Sequence, residues 1–258
     1  MKTILKRTKI DYSTYILIFL ALLAGYIKNV FLILLIVLIH ELGHVFFFLL
    51  FKIEVRKIVI YPYGGMSYVN KKINERIYRD ILISMGGILF QILLYLFFII
   101  LFRNDIIVRN TFDLFKLYNI RIILFNIIPI IPLDGSKFIL AFFSKFLSYR
   151  NSYRLMVIIG IISLILFISY NFIYRVNDLV LYIFLGYSLY KVIIEYKYVL
   201  NRFYLERILG NCYYNGIISN EIDYRKMRID KYYYFYFKGR FMKEKDYLRK
   251  YYFKKGEY

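Results

Sequence analysis

The sequence predicts an all-α polytopic membrane protein with about six transmembrane helices. Hydrophobic residues make up 60% of the chain, against roughly half in a soluble domain. They are concentrated in long blocks, and a transmembrane helix needs about 20 mostly apolar residues to cross the hydrocarbon layer. Lys and Arg, in contrast, are concentrated in alternate connections between these blocks. The six apolar blocks are residues 14–27, 30–51, 81–102, 122–143, 155–174 and 179–190.

The distribution of basic residues predicts the orientation of the chain. If the N-terminus is cytoplasmic, 30 of the 37 Lys and Arg fall in inner segments, and 6 fall in outer connections such as residues 103–121. The positive-inside rule therefore favours six spans with both termini in the cytoplasm. The net charge of +20 then reflects topology and a basic tail that faces anionic lipid headgroups. We expect the lipid bilayer, and no nucleic acid, as its charged partner.

Residues 53–70 interrupt the helical pattern after the second block. They are rich in Val, Ile and Tyr, and a Pro-Tyr-Gly-Gly sequence divides them. This combination is typical of a small β-hairpin. An ordinary loop between two helices is the alternative.

The tail differs in composition from the rest of the chain. We predict a transmembrane domain of residues 1–196, followed by a basic, Tyr-rich cytoplasmic region of residues 197–258. A length near 60 residues can form one small α/β subdomain, and an irregular, loosely ordered surface anchor is the alternative. The single cysteine, Cys212, rules out an intramolecular disulfide framework.

The second block contains the sequence HELGH, which carries both histidines of the chain. Residues four apart lie on one face of a helix, so His40 and His44 can bind one metal ion. Glu41 lies about 100° round the helix, beside the metal rather than bound to it, where it can act as a general base. Ionisable side chains are costly inside an apolar span and usually serve function there. Two structural histidines and a carboxylate, buried without a function, are the alternative.

The fourth block contains a candidate third ligand. Catalytic zinc takes three protein ligands, and two His plus one carboxylate is an established set. Asp134 follows Pro129 and Pro132, which interrupt a helix, and broken helices in a bilayer line cavities. Counted along their blocks, His40 lies at a depth of about 15 Å and Asp134 at about 18 Å. The sequence therefore predicts a Zn²⁺ site near the middle of the membrane.

The pairing of HELGH with N-x-x-P-x-x-P-x-D-G at residues 126–135 resembles the site-2 proteases, intramembrane zinc metalloproteases of peptidase family M50. The resemblance covers about residues 10–195. It implies that Glu41 is catalytic and that His40, His44 and Asp134 bind zinc. It also implies that the 61–66 loop, with Tyr63, Gly64 and Gly65, and Asn126 hold the substrate as an extended strand.

Within the family, the layout resembles the sporulation members, which release a sigma factor from a membrane-tethered pro-form. The resemblance implies a membrane-tethered transcription-factor precursor as substrate, such as a pro-sigma or anti-sigma factor. Membrane-protein inhibitors or regulators and a second copy of the chain are further expected partners. It also implies a bacterial cell membrane, or the membrane around a forespore, as location. Many relatives have an Asn in the third span, where Gln91 stands here and can supply the same amide.

Two other functions use the same buried groups. A metal or proton transporter also places His, Glu and Asp in the middle of a membrane, but such transporters usually show repeated halves, and none is visible. A catalytically silent relative that binds substrate is expected to lose Glu41 or a ligand, and all are present.

Overall fold

The computed structural model describes residues 8–61, 64–173, 179–210, 216–219, 223–237 and 240–251. These residues are mostly helical, as the sequence predicts. The helices are α1 (Tyr12–Leu23), α2 (Ile27–Leu50), α3 (Ile77–Arg103), α4 (Arg109–Ile127), α5 (Asp134–Ser144), α6 (Tyr149–Ile173), α7 (Leu179–Leu209) and α8 (Glu244–Tyr251). The strands form one sheet of β1 (Thr8–Ile10), β2 (Val55–Tyr61) and β3 (Gly64–Val69), and another of β4 (Gly216–Ser219), β5 (Tyr232–Phe237) and β6 (Arg240–Lys243).

Three helices are long and apolar enough to cross a membrane within the described ranges. They are α2 with 24 residues, α3 with 27, and residues Tyr149–Ser169 of α6 with 21. A helix of 24 residues is about 36 Å long, which exceeds the hydrocarbon thickness of about 30 Å. Helix α1 is apolar but has 12 residues. An integral membrane protein is therefore confirmed, while the number of six spans stays a prediction.

The prediction for the fourth block was wrong in its bounds. Residues 103–121 were expected to form an outer connection, but α4 begins at Arg109 and ends at Ile127. Helix α5 begins only at Asp134, so a break divides the expected span 122–143 into two helices, as the two prolines predicted. Pro129 and Pro132 lie in this break. They account for it, because proline lacks a backbone N–H and disfavours helix at the preceding residue.

The sixth block is longer than its apolar core. Helix α7 continues to Leu209 over 31 residues, past the division expected between residues 196 and 197. The polar residues of its second half, such as Arg202 and Glu206, pair one turn apart at 3.1 Å, which suits a helix surface. The helix is continuous through residue 197. The boundary predicted there, between a transmembrane domain and a cytoplasmic region, stays a prediction.

The predicted hairpin of residues 53–70 is confirmed. Strands β2 and β3 pair antiparallel, and β1 adds a third strand parallel to β2. The sequence did not predict β1. Asp11 follows this strand, donates its N–H to the carbonyl of Ile60 at 3.0 Å, and accepts from the N–H of Ser13 to begin α1. Buried Thr14 also donates to the Ile60 carbonyl at 2.9 Å.

The chain divides into two compact units. The first comprises Met1–Lys71 and Leu82–Ile127 and the second Lys72–Ile81 and Ile128–Tyr258. In the first unit, one core forms where the end of α2 packs against β2 and the start of α3, and a second lies among α2, α3 and α4. Their most buried members are Ile36, Ile58 and Phe115. These cores fix α2 between the sheet and its neighbouring helices.

The second unit has an aromatic core around the end of α7. Phe203 stacks on Tyr149 of α6 with ring centroids 4.3 Å apart, and Phe235 stacks on Tyr247 of α8 at 4.1 Å. Strand β5 lies between β4 and β6. The described residues of the tail thus form a mixed sheet and a helix, where the sequence left a subdomain and an irregular anchor open. Cys212 lies outside the described residues.

A buried ion pair joins this sheet to α7. Arg207 Nη1 donates to Glu244 Oε1 at 2.7 Å, and both side chains are at most 1% exposed. Glu244 Oε2 accepts from the N–H of Tyr233 at 2.9 Å. Arg207 also donates to the carbonyls of Arg228, Ile229 and Lys231. Breaking such a pair on one side leaves an uncompensated buried charge, which costs about 3–5 kcal/mol.

Candidate metal centre

The three reactive side chains of HELGH lie on the buried side of α2. His40, Glu41 and His44 are 5–7% exposed within a helix that is long and apolar enough to cross a membrane. The surrounding apolar residues keep α2 helical here, so a continuous helix holds the three polar side chains. Buried polar groups require partners, and these partners define the chemistry of each ring.

The hydrogen bond of His44 fixes its protonation pattern. Its Nδ1 lies 2.7 Å from the backbone oxygen of Ile83 on α3. A carbonyl oxygen can only accept, so Nδ1 of His44 donates its proton and Nε2 carries the lone pair of the neutral ring. Nε2 is therefore the atom of His44 that can bind a metal.

His40 has the same pattern through two amide side chains. Asn119 Nδ2 donates to the backbone oxygen of Gln91 at 3.4 Å, which orients the Asn119 amide. Asn119 Oδ1 then accepts from Gln91 Nε2 at 3.4 Å, and Gln91 Oε1 lies 2.9 Å from His40 Nδ1. Because this oxygen accepts, Nδ1 of His40 carries the proton and Nε2 the lone pair. Gln91 and Asn119 are at most 1% exposed.

The two Nε2 atoms lie 3.1 Å apart. When both rings are neutral with the proton on Nδ1, this separation lets the two Nε2 lone pairs bind one cation. Histidines that bind metals normally donate their other N–H to a carbonyl or carboxylate in this way. The two rings therefore fit a metal site, because the Nδ1 hydrogen bonds leave both Nε2 atoms facing each other.

Glycines allow α3 and β3 to approach these side chains. A Cβ at Gly87 on α3 would lie 2.5 Å from His40 Nε2, and one at Gly65 on β3 would lie 2.5 Å from Glu41 Cδ. Real Cβ atoms essentially never come so close. The backbones of α3 and β3 thus form two walls of the site, one against His40 and one against Glu41.

Glu41 has a hydrogen bond from the hairpin. Ser67 on β3 donates from Oγ to Glu41 Oε2 at 2.8 Å. Side chains alternate across a strand, so the side of β3 that carries Ser67 also carries Gly65. Sequence analysis singled out Gly65 and not Ser67.

The remaining predicted site residues are placed as follows. Asp134, in the second unit, is the first residue of α5, is 5% exposed, and accepts at Oδ1 from Lys137 Nζ at 2.7 Å. Asn126 donates to the carbonyl of Ile122 in its own helix at 3.1 Å. Gly64 has φ of 144°, a conformation that favours glycine. Tyr63 lies outside the described residues.

Sequence reasoning missed three residues of this site. Asn119 and Gly87 lie on helices, and Ser67 lies in the hairpin. A buried amide in a helix near an apolar core is a signal that could have identified Asn119. Gly87 and Ser67 offered no such signal, because small residues are common in closely packed helices and in strands.

Known proteins resemble this chain in sequence over most of its length. Residues 28–105, which include HELGH and Gln91, match the model of Peptidase family M50. Over 199 residues the chain is 32% identical to Stage IV sporulation protein FB of Bacillus subtilis (strain 168), covering 76% of this chain and 69% of that protein. This chain belongs to peptidase family M50. As a member of that family with apolar membrane helices, it is an intramembrane metalloprotease.

Two further proteins are similar to this chain. The chain is 28% identical over 127 residues to Zinc metalloprotease MJ0392 of Methanocaldococcus jannaschii, covering 48% of this chain and 37% of that protein. The structure of the Site-2 Protease from Methanocaldococcus jannaschii superposes with a TM-score of 0.53 and 20% sequence identity, over 72% of this chain and 89% of that one. At this identity the superposition shows a shared fold. The predicted resemblance to site-2 proteases is confirmed, and the transporter alternative loses its support.

Proposed function

We propose that this M50 protease hydrolyses a peptide bond of a membrane-tethered protein with a zinc ion bound by His40, His44 and Asp134. The observation that carries the proposal is the 3.1 Å separation of the two histidine Nε2 atoms. Each of these atoms has its lone pair set by a buried partner on Nδ1. Two histidines and one carboxylate form an established ligand set for catalytic zinc.

The protein side of the mechanism assigns one role to each group. When bound, zinc polarises the scissile carbonyl and lowers the pKa of water towards about 7. Glu41, buried beside His40, takes the proton of the attacking water and passes it to the leaving amine. Asp134, also buried, supplies the negative charge of the ligand set. Lys137 balances that charge from a side chain that is 60% exposed.

We propose that the hairpin presents the substrate to Glu41. In a helix the peptide bonds are enclosed, so a transmembrane substrate must locally unwind before cleavage. Strand β3 ends its sheet within the described strands, and an extended segment can pair with such an edge. Gly64 and Gly65 belong to this edge, and Tyr63 is proposed to contact the substrate together with them. Asn126, the first residue of the motif at residues 126–135, is also proposed to hold the substrate.

The proposed substrates are precursors of transcription factors, such as pro-sigma or anti-sigma factors. The name of the Bacillus subtilis relative refers to sporulation, which supports this class. Both termini are proposed to be cytoplasmic, from the 30-to-6 asymmetry of Lys and Arg. Residues 197–258 are proposed to serve substrate capture or regulation, through membrane-protein regulators or a second copy of the chain.

Co-expression tests this function. Tagged, single-span sigma and anti-sigma precursors from the genome that encodes this chain are expressed with it, and cleavage is read as a gel shift. Wild type should release a shorter product, and Glu41→Gln should not, while holding the same zinc stoichiometry. Glu41→Gln that cleaves at the wild-type rate contradicts the role of Glu41 as base. A wild-type chain that cleaves none of them contradicts the substrate class.

A further inference from the structure

We propose that Ser67 is a positioning residue that orients the carboxylate of Glu41. Its Oγ donates to Glu41 Oε2 at 2.8 Å, although the two residues are 26 positions apart in sequence. The inference rests on the proposed function in one respect, since it takes Glu41 to be the general base. It adds a residue from β3 that lies outside HELGH and outside the motif at residues 126–135.

The bond is the one hydrogen bond that the Glu41 carboxylate receives within the described part of the chain. Glu41 is 7% exposed, so bulk water does not replace Ser67 as a hydrogen-bond donor to its carboxylate. A glutamate has three rotatable side-chain bonds, and a base is effective only in a narrow range of orientations. The helix fixes the backbone of Glu41 but not its side-chain rotation, and the hydrogen bond from Ser67 restricts that rotation.

Gly65 complements Ser67 from the same face of β3. A Cβ at Gly65 would lie 2.8 Å from Glu41 Oε1, the oxygen that Ser67 does not contact. The backbone of Gly65 therefore lies against the side of the carboxylate that carries Oε1, and Ser67 provides a donor to Oε2.

The register of the hairpin keeps both residues on this face. Gly65 pairs with Ile60 and Ser67 with Ile58 of β2, and Ile58 is 1% exposed in the core beneath α2. A slip of one residue would turn both away from Glu41. The position of Ser67 is thus set by the same core that holds α2.

Steady-state kinetics of the purified full-length chain test the role. The probe is a tagged sigma precursor that wild type cleaves in co-expression. Ser67→Ala should lower kcat about tenfold, the effect of losing one hydrogen bond to a charged group, with KM and zinc content unchanged. Ser67→Thr keeps the hydroxyl and suits a strand, so it should restore most of kcat. Tyr68→Phe is the matched control, because it deletes a neighbouring hydroxyl that contacts Tyr61 at 3.3 Å instead.

Wild-type kcat in Ser67→Ala overturns the proposal. So does a loss that Ser67→Thr fails to restore, or one that parallels a loss of zinc, because a purely structural role would produce it.

A thermal measurement without substrate or metal separates this proposal from the proposed function. In chelator-treated protein, Ser67→Ala should lower Tm by about 2 °C with Glu41 present, the size of shift expected for one lost hydrogen bond in a chain of this length. It should have no such effect beside Glu41→Leu, which removes the acceptor. Equal shifts in both backgrounds show that Ser67 does not act through Glu41. This result holds whether or not any precursor is cleaved.

Discussion

Gly87 and His40 are packed so closely that no side chain fits between them. A Cβ at Gly87 would lie 2.5 Å from Nε2 and 2.6 Å from Nδ1 of the His40 ring. The backbone of α3 therefore fixes the plane of a proposed zinc ligand, in addition to the amide of Gln91 that orients it.

The substitution Gly87→Ala should displace the His40 ring and weaken zinc binding by about 10- to 100-fold, as loss of ligand orientation does in other metal sites. Competition with a chelator measures the affinity. The control is Gly186→Ala on α7, where a Cβ would meet nothing within 4 Å, and it should bind zinc as wild type does. Normal affinity in Gly87→Ala would show that the ring has room to move.

Asp134→Ala should lower zinc affinity by more than about 100-fold, because a direct ligand contributes more than the groups that orient ligands. Activity should fall as a consequence. Lys137→Gln is the control, since it removes the 2.7 Å ion pair but leaves the carboxylate, and it should retain zinc. Full zinc content in Asp134→Ala would move the search for the third ligand elsewhere.

The two glycines of the hairpin should differ in their response to alanine. Gly65→Ala directs a methyl group at Glu41, so it should impair cleavage while zinc content stays near wild type. Gly64→Ala meets nothing within 4 Å but has φ of 144°, so it should destabilise the hairpin by about 1–3 kcal/mol. Cleavage, zinc content and Tm are measured on both. Normal cleavage by Gly65→Ala would mean that Glu41 can move aside.

Arg207→Met should destabilise the second unit by about 3–5 kcal/mol, because it leaves Glu244 buried without its partner. Changing both residues to Met should cost less than changing Arg207 alone. Thermal unfolding in detergent gives the comparison. Arg202→Met is the control, since its pair with Glu206 is 44% and 18% exposed and should contribute less than about 1 kcal/mol. Equal effects of Arg207→Met and Arg202→Met would contradict a special role of burial.

Reporter fusions should place Asp105 and the end of the chain on opposite sides of the membrane. Asp105 lies between α3 and α4, in the region predicted to be external, whereas Tyr258 ends the basic tail. A fusion at Phe146, between α5 and α6, should report the same side as Tyr258 under the positive-inside rule. A common compartment for Asp105 and Tyr258 would overturn the proposed orientation.

Sequence periodicity was sufficient for features encoded over short distances. The four-residue spacing of His40 and His44, and the turn between two β-prone runs at residues 53–70, each follow from local geometry. The start of α4 at Arg109 was missed because Arg109, Asp113 and Lys116 give it the polarity of a connection. Their side chains include an ion pair one turn apart at 3.9 Å, which suits a helix.

Pairings between distant segments could not be predicted. Strand β1 has 3 residues, too few for a periodic signal, and its partner β2 begins 47 positions later. Ser67 is an ordinary strand residue until its contact with Glu41 is known. Site residues on the HELGH helix were therefore accessible from sequence, whereas the groups that orient them required the fold.

The anchoring of the two histidines differs in its tolerance of mutation. His44 is held by a main-chain oxygen, that of Ile83, and every amino acid at position 83 supplies that atom. His40 depends on the side chains of Gln91 and Asn119. A saturation scan should therefore show strong selection at positions 91 and 119, and at position 83 only the size preference of a core site. An essential contact can thus be invisible to any survey of residue identity.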